Sequence, residues 1–156
     1  MKLKASVDYG VRAVMYLAIK GDTCSSREIS EEMAVPRDYL IQLALRLRNA
    51  GIIKARPGKN GGYVLARPAS DITVGDILDA FDSDLKHVRQ PMKKGRAASK
   101  NAAVVRNLCL AVTESLDSYL GTITVQDLLD MSADGESADD VIANALEREV
   151  EKLRAS

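Results

Sequence analysis

Between residues 25 and 67 the apolar positions follow two helical stretches and then two short runs about a glycine-rich turn. Ser25 and Glu28 have the form of a capping box, in which each side chain meets the other residue's backbone N–H. A helix should therefore open there and reach its last turn at Met33. Ala34, Val35 and Pro36 form a break, because proline cannot continue a helix but can begin one with its fixed φ. A second helix is expected over residues 37–50. Its Leu40, Leu43, Ala44 and Leu47 fall at i, i+3, i+4 and i+7, one inward stripe, and Gly51 is a natural left-handed stop. The runs 52–56 and 63–66 can pair as a hairpin around Asn60-Gly61, a two-residue reversal that tolerates positive φ. Helix, break, helix and hairpin together read as a winged helix-turn-helix.

Outside that segment the pattern stays helical. A first helix over residues 6–20 carries Val7, Val11, Val14, Leu17 and Ala18 in register and closes at Gly21. After Pro68, I-T-V-G-D-I-L reappears in outline as I-T-V-Q-D-L-L; Thr73 with Asp76, and Thr124 with Asp127, have the chemistry of helix caps. Seven residues are too few for an internal repeat, so two short helices begun the same way are expected. Between them Ala102, Val105, Cys109, Val112, Leu116 and Tyr119 follow at alternating spacings of three and four, a seam for pairing with another helix. The same seam would also serve to fill the subunit's own core. Residues 137–154 add a final amphipathic helix, apolar at Ala138, Val141, Ile142, Ala145, Leu146, Val150 and Leu153 but interrupted by Glu149.

The expected architecture is mainly α with a small β-hairpin wing and a long dimerisation helix. It divides into a DNA-binding domain at 1–68, a connecting helix and basic loop at 69–100, a dimerisation helix with a short following helix at 101–134, and a C-terminal amphipathic helix at 135–156. The 156 residues allow a modest core that gains from oligomerisation. The N-terminus lacks the apolar centre of a signal peptide and no run is long enough to cross a bilayer, so a cytosolic protein without a membrane partner is expected.

Charge changes the picture more than composition does. The formal net charge is zero, yet residues 1–68 carry 12 basic against 6 acidic side chains (+6), and 69–85 carry five acids and no base (−5). Residues 86–106 carry seven bases and no acid (+7), and 107–156 carry 3 bases against 11 acids (−8). A cationic head with an acidic rear suits a module that meets a polyanion on one side only.

On the second motif helix, Asp38, Ile41, Gln42 and Leu45 point away from the inward stripe, flanked by Arg37, Arg46 and Arg48. Glutamine can pair with adenine, arginine with guanine or phosphate, and the aliphatics can lie on thymine methyls. The alternative for Ile41 and Leu45 is packing against another protein surface. In the wing, Arg56, Lys59, Asn60, Gly61 and Gly62 combine charge with bare backbone able to approach phosphates or the minor groove. Ser26 and Tyr39 complete the predicted contact set at the motif helices, and Lys4, with Lys2, is a candidate phosphate contact ahead of the first helix.

The segments D-Y-G-V-R-A-V-M-Y-L-A, D-Y-L-I-Q-L-A-L-R-L-R-N-A-G-I-I and G-K-N-G-G-Y-V-L-A-R-P resemble the Rrf2 family of bacterial winged-helix transcription regulators. The two I-T-V segments and the long helix match that layout as well, and the likeness spans about residues 1–130. It implies a homodimer that binds a palindromic duplex, most often as a repressor, tuned by a small-molecule or redox effector. Many members hold an iron-sulfur cluster through three cysteines in the loop before the dimer helix. Here residues 86–100 contain none, so no cofactor is expected; an atypical cluster on Cys109 and His87 is the alternative. Ile41 stands where cluster-binding members often carry glutamate, and Pro57 where their wings commonly carry arginine, which leaves Arg56 one residue early. Cys24, just before a helix N-terminus, is by default an ordinary loop cysteine, and a thiol sensor with a lowered pKa is the alternative.

Catalysis is not expected. The chain has one histidine, no nucleophile elbow, no Walker loop and no cysteine pair at metal spacing. The remaining alternative is a winged-helix module used for protein contacts, with Ile41 and Leu45 in an apolar interface.

Overall fold

The structure, a computed structural model, describes residues 5–81, 100–134 and 138–155; several side chains within the later helices lie outside the description. Lys2, Lys4, His87 and the rest of the basic loop up to Ser99 fall outside the described residues. So do the side chains of Ala102, Val105 and Cys109.

Helix α1 (Ala5–Lys20) is the central buttress. Its buried face is Val7, Gly10, Ala13, Val14 and Leu17, whereas Val11 and Ala18 of the expected register are only half-buried. The face is rotated because Gly10 sits beneath the Phe81 ring, where a Cβ would overlap the ring atoms. Helix α2 (Ser26–Met33) opens as expected on Ser25, whose Oγ accepts from the Glu28 amide at 3.1 Å. The reciprocal half of the box is different. The Glu28 carboxylate accepts from the Tyr16 hydroxyl at 3.0 Å and lies 3.6 Å from Lys20 Nζ, so it fastens α2 to α1.

The break is a left-handed helix stop. Ala34 has φ 52° and ψ 43°, the one non-glycine residue with positive φ among those described. This lets Val35 N–H reach back to Ser30 O at 3.1 Å while Ser30 Oγ donates to Val35 O at 2.6 Å. Helix α3 (Arg37–Asn49) then buries Leu40, Leu43, Ala44 and Leu47, the predicted stripe. Each such leucine contributes about 1.5 to 3 kcal/mol on leaving water. Gly51 at φ +71° turns the chain into the hairpin.

Strands β1 (Ile53–Arg56) and β2 (Gly62–Leu65) pair antiparallel, Ile53 opposite Leu65 and Arg56 opposite Gly62. The connection is therefore the five residues 57–61, not a two-residue Asn60-Gly61 reversal. Gly61 N–H closes a turn on Gly58 O at 2.9 Å, placing Lys59 and Asn60 at the corner, and the positive φ falls on Gly58 at +116°. Cys24 pairs with Tyr63 through two backbone bonds of 2.9 Å and so acts as a one-residue third strand.

A short 3-10 turn (Ala69–Asp71) leads into α4 (Val74–Phe81). Beyond it lie α5 (Lys100–Leu120), α6 (Val125–Asp134) and α7 (Ala138–Ala155). The two I-T-V segments meet: Thr73 and Thr124 form an antiparallel bridge, with Val74 N–H on Ile123 O and Val125 N–H on Ile72 O, both at 2.8 Å. Each threonine caps its helix reciprocally with the aspartate three residues on. Thr73 N–H donates to Asp76 at 3.0 Å and Asp76 N–H to Thr73 Oγ1 at 3.0 Å; the matching distances for Thr124 and Asp127 are 2.8 and 3.1 Å. An arginine completes each pair, Arg67 on Asp76 at 2.9 Å and Arg148 on Asp127 at 3.2 Å. Ile72, Ile77, Phe81 and Val125 belong to the same buried core as Val14, Leu40 and Leu47, so α4 and α6 close the base of the head.

Candidate nucleic-acid interface

The outward arc of α3 is formed because its inward arc is fully used. With Leu40, Leu43, Ala44 and Leu47 buried, the 100° step per residue turns Asp38, Gln42 and Leu45 to the opposite side, with Ile41 and Arg48 beside them. All five are exposed. Ile41 retains 42 % and Leu45 48 % of its surface, so neither is a core residue of its own subunit. Asn49 shares this arc and is exposed too. Carrying the same angular count one turn further would have included it.

The three predicted arginines differ in freedom. Arg37 Nε donates to Ser26 Oγ at 2.9 Å, linking the N-terminal turns of α2 and α3 while leaving the rest of the guanidinium exposed. Arg46 lies on the flank turned towards α4 and reaches the Phe81 carbonyl at 3.4 Å, at the end of that helix. Arg48 stands on the Ile41 side of the arc. Tyr39 is half-buried, its ring edge-on to Tyr9 at 6.1 Å between centroids, so the ring's body supports α3 against α1.

In the wing Arg56, Lys59 and Asn60 are exposed, and so is Lys54, which the pattern of the strand did not single out. Sequence reasoning assigned Gly61 and Gly62 to backbone left open for phosphate. The structure gives both a tighter role. A Cβ on Gly61 would strike the Arg56 and Gly58 carbonyls, and one on Gly62 would overlap the Cys24 carbonyl. Gly62 is thus what allows the Cys24 strand to lie on β2.

Cys24 is neither an ordinary exposed loop cysteine nor the low-pKa thiol that its place before α2 offered as the alternative. It is 2 % exposed, and its Sγ faces the Asp22 carbonyl at 3.6 Å. Burial pushes the thiol upward, Glu28 adds to the rise, Lys20 opposes it and Asp22 adds a little more. A protonated core thiol of this kind is a small apolar residue, not a sensor. With one cysteine so committed and only two in the chain, the residues present do not fit a thiolate-held iron-sulfur cluster.

Among the described side chains of α5, Val104, Leu108, Val112 and Leu116, one every four residues, are exposed aliphatics. Val112 and Leu116 of the predicted seam are among them. Tyr119 of the same seam is half-buried against Ile123, Val74, Leu128 and Met131 in its own subunit. Spacing alone could not separate these outcomes, because Tyr119 lies where α5 meets the start of α4. Helix α7 adds exposed Ile142, Leu146 and Val150.

Comparison with known proteins settles the class. A family model described as iron-dependent transcriptional regulator, Rrf2, matches residues 3–131. The chain belongs to the Rrf2 family. It is 31 % identical over 140 residues to the HTH-type transcriptional regulator IscR of Klebsiella pneumoniae, covering 85 % of each chain. Among solved structures, T. potens IscR is similar with a TM-score of 0.68 and 30 % identity, covering 88 % of this chain and 93 % of that one. The global cysteine regulator CymR of B. subtilis is similar with a TM-score of 0.64 and 28 % identity, over 82 % and 95 % of the two chains. As an Rrf2 protein the chain is a DNA-binding transcription regulator and not an enzyme. Its winged helix-turn-helix is that of the family, and no helix among the described residues is long and apolar enough to cross a membrane.

Proposed function

We propose that the protein is a homodimeric, sequence-specific, cytoplasmic repressor that reads a palindromic duplex and works without a conventional iron-sulfur cluster. Residues 1–68 form its DNA-binding part and 101–134 its pairing part. The observation that carries this reading is the exposed arc of α3, where Gln42, Ile41, Leu45 and Arg48 stand beside a wing bearing Lys54, Arg56 and Lys59. Hydrogen-bonding, apolar and cationic groups on one exposed helix match the three things a major groove offers: base edges, thymine methyls and phosphates.

Pairing is supported by the exposed aliphatic row on α5, which a solitary subunit would leave in water. Two-fold pairing along that row presents two reading helices to one duplex, as a palindrome requires. The test is selection of bound fragments from random duplexes, followed by fluorescence anisotropy on the recovered site. A palindrome should be recovered. Gln42→Ala should cost about 1 to 3 kcal/mol and relax preference at one position in each half-site. Arg48→Ala should weaken all sequences alike and lower the salt slope by about one per head. Recovery of no preferred sequence would overturn the proposal.

A further inference from the structure

Over the Thr73–Thr124 bridge lies a recess of about 600 Å³, whose lining includes Ser70, Thr73, Thr124, Arg148 and Glu151. It lies where the 3-10 turn, the starts of α4 and α6, and the side of α7 converge, and none of its residues belongs to the α3 arc or the wing. Arg148 dominates its chemistry. Nε donates to the Asn144 carbonyl at 3.3 Å, and the two Nη atoms each reach Asp127 Oδ2 at 3.2 Å. A guanidinium carries five N–H donors, so two stay available to another acceptor.

Thr73 Oγ1 accepts from the Asp76 amide, and its own O–H makes no bond among the described residues. Thr124 is different, since its hydroxyl is already spent on Asp127 at 2.8 Å. Glu151 is exposed on α7 three residues from Arg148, and side chains at that spacing are neighbours on a helix face. The recess thus offers donors from Arg148 and Thr73 beside one carboxylate acceptor. Its charge narrows the ligand further. Among the described lining residues the charged groups are one guanidinium and one carboxylate, Arg148 and Glu151, a pair that matches the two ends of a zwitterion.

We infer that this recess binds a small zwitterion of the α-amino-acid class, its carboxylate on Arg148 and Thr73 and its ammonium on Glu151. Such a ligand ties α7 to the point where α4 and α6 begin. Its role as an effector rests on the regulator reading above; its binding does not.

The experiment is calorimetric titration of the full chain, without DNA, with each standard L-amino acid in turn. At least one binds, and its N-acetyl and carboxamide analogues, which lack one charge each, bind at least about tenfold more weakly. Glu151→Gln lowers affinity for the zwitterion about tenfold or more and leaves the Tm unchanged, because Glu151 is exposed and the Arg148–Asp127 pair is untouched. No heat from any amino acid, or equal affinity for wild type and Glu151→Gln, overturns the assignment, whether or not the protein binds duplex. Failure to bind duplex in a separate titration counts against the regulator reading alone.

Discussion

Gly62 and Cys24 lie backbone against backbone, with two hydrogen bonds of 2.9 Å between Cys24 and Tyr63 holding them there. The wing is therefore fastened to the loop before α2 as well as to its own partner strand. Gly62→Ala should break that attachment, since the new methyl would occupy the space of the Cys24 carbonyl. We expect a loss of about 1 to 3 kcal/mol in urea unfolding, as for other overpacked sites, together with weaker duplex binding in anisotropy. Unchanged stability would show that the strand can move aside at no cost.

Ala34 offers the opposite kind of change. A left-handed conformation costs an L-residue about 1 to 2 kcal/mol, and glycine escapes that cost while losing more chain entropy on folding. Ala34→Gly should leave a net gain of up to about 1 kcal/mol, measured as a higher urea midpoint at constant m. A lower midpoint would mean that the stop between α2 and α3 is not strained.

Asp127 links stability to pH. Burial alone would raise its pKa, but the Thr124 amide and hydroxyl and the Arg148 guanidinium outweigh it and hold the carboxyl below the ordinary 3.8. A depressed pKa gives stability that is full above the unfolded value and lost as pH falls through the folded one. Asp127→Asn should cost about 1 to 3 kcal/mol at pH 7 and flatten the decline in Tm below about pH 4. Parallel acid limbs for the two proteins would remove Asp127 from the account.

The exposed row on α5 predicts a separation of assembly from folding. Val112 and Leu116 retain 51 % and 45 % of their surface, so neither is a core residue and replacing both by aspartate leaves the buried core of the subunit intact. Sedimentation should report a monomer with near-native circular dichroism. Duplex affinity should fall by at least about a hundredfold as the second head is lost. A variant that still sediments as a dimer would place the pairing surface elsewhere.

What was legible in the chain was local. Leu40, Leu43, Ala44 and Leu47 declared the buried side of α3, and by subtraction its exposed arc, because helical period alone decides both. Ser25 and Ala34–Pro36 marked the boundaries for the same reason. Non-local partners were not legible. Glu28 had two chemically reasonable uses, and only the packing of α1 beside α2 chose Tyr16 over its own cap. Asn60-Gly61 has strong turn propensity, yet the register between β1 and β2, set partly by Cys24, moved the reversal to Gly58–Gly61. Cys24 precedes a helix, which favours a thiolate, but tertiary burial reversed the sign of the effect. The likeness of the two I-T-V segments was visible, whereas their pairing with each other was not, since Thr124 lies 51 positions beyond Thr73.

That pairing has a mechanical consequence. One bridge orients the opening turns of two helices, and the same two helices floor the packing under α1 and α3. Thr73 and Thr124 act as the fulcrum of that joint, so a tilt of α4 or α6 is shared by the other and bears on the packing beneath α3.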